Sequence, residues 1–149
     1  MEGRRSPRYN LSLEVDEGRQ EVKLVDTVAI IGFLNPNDRL HARSAEHMRS
    51  VSANADIFVP VTSLIEADLL LKISGYSDSE RDISWGAIES QIPNEKVVPN
   101  SISSIRRALD LQKNGIDYFD SLVASLAKET VSTVITTDRR IREIVDTEW

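Results

Sequence analysis

The chain has 149 residues, the length of one domain with room for a hydrophobic core. It has no cysteine, which excludes disulfides and thiolate metal sites, and its two histidines are too few for a histidine-rich zinc site. The net charge of −6 argues against a protein that coats nucleic acid by bulk electrostatics, but it is compatible with an enzyme that approaches nucleic acid through a bound cation and a few arginines.

Residues 1–21 are predicted to be an N-terminal extension, partly flexible, that precedes one folded domain at 22–149. Apolar residues are sparse in this extension, and Pro7 and Gly18 interrupt it. Its alternating pattern at 9–15 predicts an edge strand.

From residue 22 onward, short apolar runs alternate with helical patterns. Strands are predicted at 22–25, 57–61, 96–98 and 133–136, and helices at 28–34, 40–52, 64–74, 77–91, 101–113, 119–129 and 138–145. Alternation of this kind is typical of a parallel sheet covered by helices on both faces. The predicted fold is therefore a single three-layer α/β/α domain with a central, mostly parallel sheet.

Acidic residues fall where strands end and helices begin. They are Asp26 after the first strand, Glu66 in the first turn of the helix after the second strand, Asp117 and Asp120 around the start of the helix at 119–129, and Asp138 after the last strand. In a parallel sheet all these positions share one edge, where open α/β sheets bind their ligands. Converging carboxylates repel one another, so we expect a divalent cation that prefers oxygen ligands, Mg²⁺ or Mn²⁺, to hold them.

Each acid also has a structural interpretation. Residues 63–66 match a capping box that ends in Glu66, and the other helix-start acids match caps and first-turn acids. Taken singly, capping is the commoner explanation. Two features favour a site: Glu66 and Asp120 lie on helices with otherwise apolar faces, so they should be partly buried, and Asp26 has no comparable capping role.

These residues resemble the PIN-domain family of nucleases, especially its VapC-like toxin members. Residues 24–27 are similar to the opening motif, 34–36 with 40–41 to the spacing that follows it, 63–66 to the second acidic position, 117–124 to the third motif, and 133–138 to the last strand and fourth acid. The resemblance covers about residues 24 to 144. It departs at Val28, where the family often has Asn or Ser, and in the N-terminal extension.

The resemblance implies a metal-dependent endoribonuclease that hydrolyses single-stranded RNA, with the toxin of a toxin–antitoxin pair as one biological setting. Asp26 and Asp120 would be the principal metal ligands, and Glu66 and Asp138 would bind directly, through water or to a second ion. Thr27 or Thr137 would hydrogen-bond a ligand carboxylate or the scissile phosphate, with turn and cap roles equally open.

Three arginines, Arg139, Arg140 and Arg142, follow the last acid and would hold RNA phosphates, although a solvated helix face is the commoner explanation for such a run. His41 and His47 are interpreted as surface helix residues. Apolar side chains in the helices suggest a homodimer, and a VapC-like protein would also have a small antitoxin whose tail inserts an arginine near the acids.

The expected location is the cytoplasm, because the sequence has no membrane-spanning run and no signal-peptide core. Two alternatives remain. A non-catalytic PIN-like module that binds RNA or serves in assembly fits Val28 and the acidic net charge. A phospho-receiver domain fits poorly, since Asp26 stands alone where an acidic pair is needed.

Overall fold

Strands of two to four residues alternate with helices throughout the computed structural model, which describes residues 21–149. The predicted strand at 9–15 lies outside the described residues. The elements are β1 (Lys23–Val25), α1 (Thr27–Leu34), α2 (His41–Ala53), β2 (Ile57–Pro60), α3 (Val61–Ile73), α4 (Asp78–Gln91), β3 (Val97–Val98), α5 (Ile102–Lys113), α6 (Tyr118–Thr130), β4 (Thr133–Ile135), α7 (Arg139–Arg142) and β5 (Thr147–Glu148). Within this range no helix is long and apolar enough to cross a membrane.

The five strands form one parallel sheet in the order β3-β2-β1-β4-β5. In its register Val25 lies opposite Ile135, so the chain leaves β1 and β4 at the same level. Asp26 therefore emerges beside Thr136. This pairing fixes the centre of the sheet edge at which the acids were expected.

Side chains that alternate along the strands build a separate core on each face of the sheet. Val25 and Ile135 pack with α1, α2, α3 and α4, whereas their neighbours Leu24 and Val134 pack with α6 and α7. All four are at most 1% exposed. The predicted three-layer α/β/α fold is confirmed, and all five strands within residues 21–149 are parallel.

The C-terminal prediction was wrong in two respects. The last helix ends at Arg142 instead of continuing to 145, and β5 was not foreseen. Ile141 is buried under the sheet, and the chain then turns so that Thr147 pairs with Val134. Two strand residues in a polar tail give no periodic signal, which is why the sequence did not reveal this edge strand.

His47 is also misplaced by the sequence interpretation. It is 8% exposed rather than a surface residue, and its ring lies 4.8 Å from the ring of Trp149, centroid to centroid. Burial is the main cause that lowers its pKa. The tryptophan that follows β5 thus covers α2, a contact between distant parts of the chain that local patterns do not encode.

The contact between α1 and α2 depends on a glycine. A Cβ on Gly32 would overlap Ser44 Oγ and lie 3.0 Å from Ser44 Cβ. We expect Gly32→Ala to lower the free energy of unfolding by about 1–3 kcal/mol through overpacking. Urea denaturation followed by circular dichroism measures the change.

The matched control is Gly86→Ala on α4, where an added Cβ meets nothing within 4 Å. There the higher helix propensity of alanine should raise stability by about 0.5–1 kcal/mol. If the two variants changed stability alike, close packing at Gly32 would not be the reason for glycine.

Candidate metal centre

A cleft of about 340 Å³ lies at the edge where the parallel strands end and the following helices begin. It is lined by Asp26, Thr27, Val28, Ile31, Asp38, Glu66, Leu70, Asp120, Thr137 and Asp138. The structure thus brings together the four acids predicted as ligands, from four separate parts of the chain. Both threonines predicted to support them also line the cleft.

Asp26 is the most buried of the acids, at 4% exposed. Its Oδ2 accepts a hydrogen bond from Thr136 Oγ1 at 2.7 Å, and Thr136 Oγ1 in turn accepts from the backbone amide of Asp138 at 3.0 Å. Burial is the main cause that raises the pKa of Asp26 to about 6, while the Thr136 hydroxyl opposes the rise. Its side chain makes no helix-capping bond to α1, so a capping role is absent here.

Glu66 is not part of a capping box. Helix α3 begins at Val61, which places Glu66 beyond the first turn, and the Ser63 hydroxyl is buried without a hydrogen-bond partner in residues 21–149. The prediction failed because Pro60 ends β2 and the helix starts at once. Glu66 is half-buried, and burial raises its pKa while the neighbouring Thr27 hydroxyl lowers it. The Thr27 hydroxyl also lies 3.4 Å from the Ser63 carbonyl oxygen.

Asp120 has the most strongly shifted pKa in the cleft. It lies in the first turn of α6 and is half-buried, as predicted for a helix whose remaining face is apolar. Burial first, and then the negative charges around it, raise its pKa to about 7; these charges belong to Asp138, Asp26, Glu66 and Asp117. Repulsion from four other acids shows that the carboxylates share one electrostatic environment.

Asp138 and Asp117 differ in their positions. Asp138 lines the cleft and also caps α7, because its Oδ1 accepts from the backbone amide of Arg140 at 2.8 Å. The capping interpretation therefore holds for this acid. Asp117 lies outside the cleft wall and pairs with the Arg140 side chain, Nη1 to Oδ1, at 3.2 Å. Arg139 and Arg142 are exposed and form no ion pair in the described part of the chain.

The sequence interpretation missed one residue of the cleft wall, Asp38, and one buried residue that holds a cleft acid, Thr136. Thr136 was seen only as a strand residue, although the strand register places its hydroxyl on Asp26. Asp38 was not singled out in the sequence; its Oδ1 accepts from the Leu40 amide at 2.8 Å, and the residue lines the cleft. The signal for Thr136 is the register between β1 and β4, which places it beside Asp26. The signal for Asp38 is an acid that closely follows the end of α1.

The cleft residues carry the oxygen donors that a divalent cation prefers, but their side chains are not positioned to coordinate one ion together. All polar groups that line the cleft are carboxylates and hydroxyls, the donors that Mg²⁺ and Mn²⁺ prefer. Across residues 21–149, however, no three His, Asp or Glu side chains are placed so that they could hold a metal ion. The four acids surround one space without meeting at a point, so side-chain rotation would be needed to complete a coordination shell.

A larger cavity, of about 430 Å³, lies elsewhere against α2. Its charged side chains already satisfy one another: Lys23 pairs with Glu148 at 2.7 Å, and Arg43 pairs with Glu46 at 2.9 Å. Volume alone would favour this cavity, but its charges are neutralised and no acids repel there. The acidic cleft is therefore the better candidate for chemistry.

A sequence-family model described as the PIN domain matches residues 23–146. No curated protein matches the chain in sequence. Among solved structures, VapBC2 from Rickettsia felis bound to a DNA fragment from their promoter has a TM-score of 0.63 at 17% identity, covering 86% of this chain and 98% of that one.

Two further structures have the same fold. FitAcB from Neisseria gonorrhoeae has a TM-score of 0.64 at 17% identity and covers 85% of this chain and 96% of its own. VapC20 from Mycobacterium tuberculosis, a Sarcin-Ricin loop cleaving toxin, has a TM-score of 0.63 at 12% identity and covers 81% and 93%. At such low identities these likenesses establish a shared fold and nothing finer.

Proposed function

The chain belongs to the PIN-domain family, and from that premise we propose that it is a divalent-metal-dependent endoribonuclease acting on single-stranded RNA. One observation carries the proposal: four acids from four separate segments line a single cleft, and burial and mutual repulsion raise the pKa of Asp120 to about 7. A fold tolerates such an arrangement at a cost in stability, which a bound cation would offset.

Asp26 and Asp120 would hold Mg²⁺ or Mn²⁺, with Glu66 and Asp138 as further or water-mediated ligands. When bound, a divalent ion polarises a phosphoryl oxygen and lowers the pKa of a coordinated water. The Thr136 hydroxyl holds one oxygen of Asp26, which fixes how the other can turn toward the cleft. Val28, Ile31 and Leu70 supply the apolar part of the cleft wall.

A second candidate function is a non-catalytic PIN-like module that binds RNA or serves in assembly. Two observations favour it: the acids do not meet at one point, and Val28 places an apolar side chain in the cleft wall where the family often has Asn or Ser. Under this proposal the acidic cleft would bind RNA poorly, and RNA would contact another surface.

Cleavage of a labelled single-stranded RNA separates these proposals. We expect endonucleolytic products with Mn²⁺ or Mg²⁺ and none with EDTA, and the same strand made of DNA serves as the substrate control. Cleavage that survives EDTA would contradict the metal requirement. RNA that is bound but left intact with either ion would favour the module.

Two protein partners are part of the proposal. Helix α3 exposes a stripe of Ile65, Leu69 and Ile73, which are 54%, 42% and 71% exposed. We propose that a homodimer covers this stripe, because such spacing forms one apolar face of a helix. A monomer in light scattering at micromolar concentration would contradict the dimer.

The second partner is an antitoxin. If the protein is a toxin of the VapC type, an antitoxin would bind at the cleft, and the protein would act in the cytoplasm.

A further inference from the structure

The cleft wall contains acids but no base, although the proposed substrate is a polyanion. Within residues 21–149 the residues that line the cleft include no lysine, arginine or histidine. A bound divalent ion would offset the charge of the carboxylates, but the phosphates on either side of the scissile bond still approach an acidic wall. Productive binding of RNA therefore calls for a cation at the rim of the cleft.

Arg140 is held at this rim. The backbone amide of Arg140 donates to Asp138, a cleft residue, and its guanidinium pairs with Asp117 at 3.2 Å. Asp117 precedes α6, and its charge contributes to the raised pKa values of Glu66 and Asp120. Arg140 is thus connected to the cleft through its backbone on one side and through its side chain on the other.

The ion pair between Arg140 and Asp117 is one that an RNA phosphate could replace. The Arg140 and Asp117 side chains are 57% and 71% exposed, and exposed ion pairs contribute little to stability. A phosphate offers the guanidinium two oxygens in the geometry that suits a bidentate bond. By comparison, no ion pair within the described residues orients Arg139 or Arg142.

We infer, on the basis of the proposed nuclease function, that Arg140 is the RNA-phosphate contact of this cleft and that Asp117 occupies its guanidinium in the free protein. In the free protein Asp117 holds the guanidinium at the rim. When single-stranded RNA binds, a phosphate next to the scissile bond replaces Asp117 on Arg140.

Steady-state cleavage of a single-stranded RNA tests the exchange. Arg140→Ala should raise KM by roughly tenfold, the loss typical of one charge-assisted hydrogen bond, with kcat changed by less than about twofold. The KM of Arg140→Lys should lie between those of the wild type and Arg140→Ala, because lysine keeps the charge but cannot form a bidentate bond. Asp117→Asn should lower KM by about twofold by releasing Arg140, and it should have no effect in the Arg140→Ala background.

The ion pair of Arg43 and Glu46 on α2 supplies matched controls. Both side chains are more than half exposed, at 52% and 55%, and their charged atoms lie 2.9 Å apart, away from the cleft. Arg43→Ala and Glu46→Gln should leave KM unchanged. If Asp117→Asn lowers KM equally with and without Arg140, simple repulsion of RNA explains the effect and the inference is overturned.

Binding without turnover provides the second readout. In the Asp120→Asn background, Kd for a fluorescein-labelled RNA is measured by anisotropy from 50 to 300 mM KCl. Arg140→Ala should reduce the slope of log Kd against log salt by about 0.7, the value for one phosphate contact on a single strand, while Arg43→Ala leaves it unchanged. An unchanged slope, or no measurable binding, overturns the inference. RNA that shows the slope change but is never cut by the wild type would refute the nuclease function and leave the Arg140 contact intact.

Discussion

Asp120→Asn is expected to abolish RNA cleavage and, in the absence of metal, to make the protein more stable. Activity should fall by roughly 10³-fold, since a group that positions charge for the transition state is lost. Stability at pH 8 should rise, because the carboxylate is half-buried among other acids that raise its pKa to about 7. The amide keeps the shape of the side chain without the repelled charge. We expect the melting temperature to increase by about 3 °C, the size of a 1 kcal/mol gain in a domain of this length.

Opposite effects on activity and stability distinguish a functional acid from a structural one. A first-turn acid kept only for its interaction with the helix dipole would lose stability on neutralisation, by about 0.3–1 kcal/mol. Asp110→Asn on α5 is the matched control, because Asp110 is exposed and, among residues 21–149, forms an ion pair only with Lys113, at 3.6 Å. It should change neither property measurably. Asp26→Asn should repeat the pattern of Asp120→Asn. A destabilised but fully active Asp120→Asn protein would show that the acid is structural.

The fold could be predicted because its signals are local and repeated. Short apolar runs such as Leu24-Val25 alternate with helical patterns, and a parallel sheet with helices on both faces follows from that order. The edge that gathers Asp26, Glu66, Asp120 and Asp138 follows from the same topology, because strand ends and helix starts share one side of the sheet.

The features that the sequence did not reveal depend on contacts between distant parts of the chain. Strand β5 exists because two polar residues pair with β4, and His47 is buried because Trp149 packs on its ring. The hydrogen bond from Thr136 to Asp26 requires the register between β1 and β4. No period within a window of sequence contains that information. The capping box predicted at 63–66 failed for a different reason. A capping box forms only where its first residue directly precedes the helix, and α3 already begins at Val61.

Added Mn²⁺ should raise the melting temperature strongly at pH 8 and weakly at pH 5. Folding raises the pKa of Asp26 from 3.8 to about 6 and that of Asp120 from 3.8 to about 7, mainly through burial. Between pH 4 and pH 7, roughly the range from the unfolded to the folded pKa values, the folded protein keeps protons that the unfolded chain releases. The free energy of unfolding therefore falls as the pH rises from about 4 to about 7. The metal-free protein should therefore lose stability over that window, and the stability is fully present only below it.

A divalent cation competes with those protons for the same oxygens, so its stabilising effect grows as the carboxylates ionise. At 100 times its Kd, Mn²⁺ stabilises the folded state by about 2.7 kcal/mol, which corresponds to a melting-temperature increase of about 8 °C at pH 8. Differential scanning fluorimetry from pH 5 to pH 8, with Mn²⁺ or EDTA, measures both slopes. The double variant Asp26→Asn/Asp120→Asn should show a flatter pH dependence without metal and no gain with it. Among residues 21–149, only Asp26 and Asp120 have carboxyl pKa values raised to about 6 and 7, so a pH-dependent gain from Mn²⁺ would point to these two acids. Equal gains at pH 5 and pH 8, or an undiminished gain in the double variant, would place the ion elsewhere.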